Sequence, residues 1–200
     1  MNIKENLKTS LSVIVLMGLL IVPYLMTKKS RDFNPLTLKL NTGVSTHTTL
    51  NQLRENHDVI LLYFGFLSCP DVCPTTLSKM ANVFKDLSPE RREKIALVFI
   101  DLDPERDKIE DIRNYVAYFD PKIIPVSLNT ENLDLITRFF GIAFMKVPVK
   151  SEMGYTIDHS TGIVVLSKDS KVLAPISHDS PRSVVTSQLN KIFDQPKETL

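Results

Sequence analysis

The 200-residue chain has no run of Lys or Arg, no internal repeat, no low-complexity tract and only two cysteines. Its formal charge is +1. Without a basic stripe there is nothing to follow a phosphate backbone, and nucleic-acid binding is excluded. No Arg precedes Arg31, which argues against a mitochondrial transit peptide. Charge is also missing from Thr9 to Thr27, over 19 residues. As a helix this stretch would be about 28 Å long, close to the thickness of a bilayer's hydrocarbon core. No small-x-small cleavage site follows it, so an uncleaved anchor is preferred to a signal peptide. Its all-round apolarity disfavours a buried globular helix. Lys4 and Lys8 flank one side and Lys28, Lys29 and Arg31 the other, so charge leaves the orientation open.

With 43% apolar residues, the rest of the chain suits one globular domain. The predicted organisation is a short N-terminus over 1–8, a membrane anchor over 9–27, a linker over 28–35 and a domain over 36–200. The polar stretch from Arg31 to about Asn56 reads as linker and short irregular strands. "VILLYF" (Val59 to Phe64) and "IALVFI" (Ile95 to Ile100) are continuous apolar runs, the pattern of strands buried on both faces. Helical spacing follows each, at Leu77, Met80, Ala81, Phe84 and Leu87, and at Ile109, Ile112, Val116 and Phe119. Ile123 to Leu128 reads as a third strand, and Leu133, Ile136, Phe139 and Phe140 as a short helix. Gly162 to Leu166 and Lys171 to Ile176 flank the turn-like "SKDS" as a hairpin, and Val185, Leu189 and Ile192 mark a closing helix. This order predicts an α/β fold with a mixed sheet, thioredoxin-like with an insertion, preceded by one transmembrane helix.

Crossover helices make the first two strands parallel, so both end on one edge of the sheet. Cys69 lies just past the first, Asp101 and Asp103 at the end of the second, and His159 just before the hairpin. Ligands bind at that edge in open α/β sheets. Pro74 favours a helix start, which would put Cys73 near the N-cap, with its thiol pKa lowered by the helix dipole. Three residues separate Cys69 from Cys73, where redox motifs of thioredoxins have two. A structural disulfide, a redox couple and a metal site all remain open. Two thiolates are soft donors that suit Cu(I) or Zn(II), and His159 would complete a Cys2His set. Zinc in a closed site would want a fourth ligand, and none is evident. His47, His57 and His178 read as surface residues, and Met145 and Met153 as packing. In "DLDPERD", Asp103 reads as the cap of the next helix, opened by Pro104 and with Glu105 in its first turn. The functional alternative is an acidic rim for a docking partner.

"CPDVCP" after a buried strand, "DLDPERD" after the next and "DHS" before a hairpin resemble the Sco/SenC family over roughly Leu36 to Phe193. The resemblance implies a membrane-anchored, copper-binding protein of the thioredoxin superfamily that helps assemble the CuA centre of cytochrome c oxidase subunit II. It implies Cys69, Cys73 and His159 as ligands of Cu(I) or Cu(II). It also implies an N-terminus in the cytosol or matrix and a domain outside; a bacterial inner membrane, with the domain in the periplasm, is preferred to a mitochondrial inner membrane. Asp71, Asp101, Asp103 and Asp158 are candidates for partner docking or for supporting the ligands. The chain departs from the family at Lys108 and Ile109, at Ile163, at "SKDS" and over Pro125 to Asn129, none of which touches the trio. The leading expectation is a copper metallochaperone that breaks no substrate bond. The alternatives are a thiol-disulfide oxidoreductase, with Cys69 and Cys73 as redox pair and a thiol reductant as partner, and a copper or redox sensor. A peroxide-reducing enzyme would need an Arg and Thr beside its cysteine, a constellation the sequence does not supply.

Overall fold

The computed structural model describes Met17, residues 33–44 and residues 48–194. The anchor expected over Thr9 to Thr27 therefore lies outside the described residues, Met17 apart. Among the described residues no helix is long and apolar enough to cross a membrane. The chain divides into two units, Met1–Asn34 and Pro35–Leu200, and the fold is that of the second.

After a 3-10 turn at Pro35–Thr37, β1 (Lys39–Leu40) pairs antiparallel with β2 (Thr48–Thr49). A helix, α1 (Leu50–Asn56), follows directly where the sequence predicts irregular strands. Thr49 and Gln52 form a reciprocal capping box that satisfies two backbone donors at its start. Then come β3 (Val59–Gly65), α2 (Val72–Asp86), the short α3 (Pro89–Glu93), β4 (Ile95–Asp101), α4 (Ile109–Phe119), β5 (Ile124–Val126) and α5 (Thr130–Phe140). A ribbon of β6 (Phe144–Pro148) and β7 (Tyr155–His159) precedes the hairpin β8 (Ile163–Ser167) and β9 (Val172–Ile176), and α6 (Arg182–Asp194) closes the domain.

All seven residues of β3 and of β4 are buried, as their unbroken apolar sequences require. The five-stranded sheet has the order β5-β4-β3-β8-β9, with β3, β4 and β5 parallel and β8 antiparallel to both its neighbours. Val59, Leu61 and Tyr63 share one core with Leu97 and Phe99, with Cys73, Leu77 and Met80 of α2, with Val116 of α4 and with Leu189 of α6. The alternate residues Ile60, Leu62, Phe64, Val98 and Ile100 are buried as well, and α1 packs along β3. The mixed α/β layers and the closing hairpin bear out the predicted thioredoxin-like arrangement. Gly65 stands opposite Asp101 in the parallel register, so the loops that follow β3 and β4 leave the same edge of the sheet.

Candidate metal centre

The first strand delivers the cysteines. Beyond β3 the chain turns through Phe66–Pro70, closed by Cys69 N donating to the Phe66 carbonyl at 3.3 Å. It enters α2 with Asp71 at the cap position, although Asp71 makes no side-chain cap bond. Cys73 is therefore the second residue inside the helix, two positions deeper than Pro74 at the helix start would place it. Its side chain is buried in the core, whereas Cys69 is half-buried. Gly65 is what allows this: its α-carbon lies so close to the Cys73 sulfur that a Cβ there would come within 2.9 Å of Sγ.

Both cysteines are free thiols. The Cys69 sulfur accepts from Cys73 N at 3.4 Å. Its pKa is brought down to about 4, chiefly because the Cys73 thiol donates to it, against the cost of burial and with further help from His159. The Cys73 thiol is pushed up, by its bond to Cys69 and by burial. The expected acidification of Cys73 by the helix dipole is thus overturned. The outer sulfur is the thiolate, because the inner one serves it as proton donor and has no water to stabilise a charge.

His159 arrives on β7, the partner of β6, and not on the hairpin itself, which starts at Ile163. Its ring meets Phe66 edge-on at 5.9 Å between centroids. Its Nδ1 lies 2.8 Å from the Ser160 carbonyl. That carbonyl can only accept, so Nδ1 carries the proton and Nε2 is the free lone pair, the pattern of a metal-binding imidazole held by a backbone oxygen. The structure thus brings together Cys69, Cys73 and His159. Among the described residues, however, no group of three His, Cys, Asp or Glu side chains is placed to hold a metal ion. His57 is elsewhere, bonded at 2.7 Å to the Leu53 carbonyl, and His178 sits with Thr161 and Asp179. His47 lies outside the described residues.

The acidic motif behaves differently from its sequence reading. Helix α4 starts at Ile109 with Lys108 at its cap, so the cap expected at Asp103 is not formed. Residues 103–107 form a turn instead, with Arg106 N and Asp107 N both donating to the Asp103 carbonyl. Asp101 and Asp103 have no exposed surface at all and cannot form a docking rim. Asp71 and Asp158 are exposed. Burial, and then the neighbouring charge of Asp107, pushes the Asp101 carboxyl up to about 8, while burial first of all raises Asp107. Asp101 Oδ2 has no donor beside it; a proton on Asp101 turns that orphaned acceptor into a donor to Asp107. Asp107 in turn accepts from Leu67 N at 2.8 Å and so holds the cysteine loop.

Sequence reasoning missed Gly65, Phe66, Arg106, Asp107 and Tyr155. Only the acid-rich spacing of "DLDPERD" pointed toward any of them; the others act through contacts distant in sequence.

A half-exposed thiolate, a buried thiol and an imidazole thus lie at the edge of a thioredoxin-like sheet, donors of the kind that soft ions and thiol exchange require. A family model described as SCO1/SenC matches residues 45–194, and the chain belongs to that family. It is 32% identical over 134 residues to the human mitochondrial SCO1 homolog, covering 66% of this chain but 44% of that protein. It is 29% identical over 180 residues to an SCO2-like protein of Rickettsia typhi, covering 82% and 88%. The structure of Bradyrhizobium japonicum ScoI with copper bound superposes with a TM-score of 0.68 at 26% identity, over 78% of this chain and 96% of that one.

Proposed function

We propose that this chain is a copper metallochaperone whose cargo is held by Cys69, Cys73 and His159. The observation that carries the reading is the Cys69 sulfur, which accepts from Cys73 N and has the His159 ring beside it. Two sulfurs and one nitrogen suit Cu(I), which accepts three donors, better than a closed zinc site. Loading releases the proton that Cys73 shares with Cys69. Because Cys69 is half-exposed, an acceptor thiolate can reach the ion and take it by ligand exchange. The family resemblance implies the CuA centre of cytochrome c oxidase subunit II as acceptor. It also implies an anchor over Thr9 to Thr27, with 1–8 cytoplasmic, 28–35 as linker and the 36–200 domain in a bacterial periplasm. Copper bound to Bradyrhizobium japonicum ScoI supports the choice of metal. The test is anaerobic Cu(I) competition titration. Cys69→Ser and Cys73→Ser should each abolish tight binding, and His159→Ala, which removes one of three donors, should weaken it by about tenfold or more, at least what losing a partner behind a ligand costs. Equal affinity in all four proteins would defeat the reading.

The low pKa of Cys69 favours a second reading, thiol-disulfide exchange with acceptor cysteines. In that reading His159 is dispensable, and a mixed disulfide through Cys69 accumulates in Cys73→Ser.

A further inference from the structure

The ribbon that carries His159 is weakly attached to the domain. β6 and β7 form a sheet of their own, and apart from each other they have no extended contact with any other described strand or helix. Only Ile157 among their residues is buried. Two strands alone are marginally stable in water. What ties the ribbon down is a side-chain cluster at the end opposite His159. The Tyr155 hydroxyl donates to Asp103 Oδ1 at 2.7 Å. Arg106 pairs through Nε with the other Asp103 oxygen and donates from Nη1 to the carbonyls of Tyr155 at 2.9 Å and Met153 at 3.2 Å. Its guanidinium lies 3.7 Å from the centre of the Tyr155 ring. Lys146 of β6 adds an ion pair to Glu105 at 2.6 Å. The same turn grips the cysteine loop through Asp107 and Leu67, so one short segment holds both halves of the site.

We propose that Asp103, Arg106 and Tyr155 form a strut that sets the reach of His159 toward the cysteine pair, and are positioning residues for copper capture. The inference rests on the Cys2His reading above. A charge as deeply buried as Asp103 is stable only with its partners in place, so the turn and the ribbon are locked to each other. Loosening the strut lowers the fraction of molecules with the imidazole in reach, and the apparent copper affinity falls by that fraction.

The test uses the full-length chain with Tyr155→Phe, which removes one hydroxyl and keeps the ring under Arg106, and with Arg106→Lys, which keeps the charge and loses the fork. Amide hydrogen exchange of the metal-free chain should quicken by about tenfold within Tyr155–His159 in Tyr155→Phe, with β3 and β4 unchanged, as loss of a bond to a buried charge implies. Cu(I) affinity should fall by a similar factor, and pulsed EPR of the Cu(II) form should show weakened imidazole-nitrogen modulation. Arg106→Lys, which loses the bonds to the Tyr155 and Met153 carbonyls, should quicken ribbon exchange at least as much as Tyr155→Phe. Unchanged ribbon exchange, or a speed-up spread evenly over the domain, would overturn the strut. A wild type without nitrogen modulation would defeat the Cys2His reading instead, and ribbon exchange alone would then decide for or against the strut.

Discussion

Gly65→Ala is the smallest change that should damage the centre without touching a ligand. An added Cβ would lie 2.9 Å from Cys73 Sγ, 2.9 Å from Phe99 Cε2 and 3.2 Å from Phe99 Cζ. Carbon contacts relax to about 3.5–4.0 Å, so a shift of roughly 0.6 Å or more is required. Phe99 cannot supply it: the ring is fully buried and stands edge-on between Tyr63 at 5.9 Å and Tyr115 at 6.0 Å. The Cys73 sulfur must move instead, away from the geometry in which its thiol serves Cys69. Overpacking of this kind costs about 1–3 kcal/mol, and at about 2–4 °C per kcal/mol for a chain of this size the melting temperature should drop by about 2–12 °C. Gly162→Ala is the control, because its nearest neighbour would be the Ile176 carbonyl at an ordinary 3.5 Å; it should stay within about 0.5 kcal/mol of wild type. Both variants would be melted by circular dichroism and titrated with Cu(I). A Gly65→Ala protein that melts and binds copper like Gly162→Ala would refute the reasoning.

Alkylation should separate the two thiols. Iodoacetamide is expected to modify Cys69 with an inflection near pH 4, since its lowered pKa leaves thiolate at every higher pH and the reactivity is lost only below it, while Cys73 stays inert in the folded chain; peptide mapping by mass spectrometry reads both, and a reactive Cys73 would contradict the assignment. Asp101, with its carboxyl raised to about 8, favours the folded state most below the unfolded carboxylate pKa of about 4, and this contribution declines as pH rises toward 8. Asp101→Asn should therefore flatten the fall of stability with pH between those limits in denaturant titrations, and an unchanged slope would count against the shared proton. Asp107→Ala strips the acceptor from Leu67 N and should cost about 1–3 kcal/mol, with copper affinity reduced alongside stability.

The buried strands were legible because β3 and β4 are apolar at every position, and a strand covered on both faces has no other way to be written. The hairpin and its closing helix were equally plain from turn chemistry and spacing. The ribbon was not: "FMKVP" of β6 has no fully buried residue, so it has no hydrophobic period to read. Helix α1 is seven residues long with Leu50 alone buried, and its one signal was the Thr49–Gln52 capping box. The candidate trio could be proposed from residue type, since cysteine is rare in this chain, but the acidity was assigned to Cys73 where the structure puts it on Cys69. Pro74 marked a helix start that in fact lies two residues earlier, and depth of burial cannot be seen in a spacing. Asp103 was read as a helix cap, and Asp101 and Asp103 as a docking rim or a support for the ligands; their depth was not legible, because carboxylates are seldom buried and their partners, Gly65, Arg106 and Tyr155, are assembled by the sheet and the ribbon.

X-ray absorption on the full-length chain loaded anaerobically with one equivalent of copper reports the donor atoms directly. Two sulfurs and one nitrogen are expected for wild type, with the nitrogen lost and both sulfurs kept in His159→Ala. A wild-type spectrum with sulfur donors alone, or one that His159→Ala leaves unchanged, would contradict the assignment of Cys69, Cys73 and His159 as a single copper site.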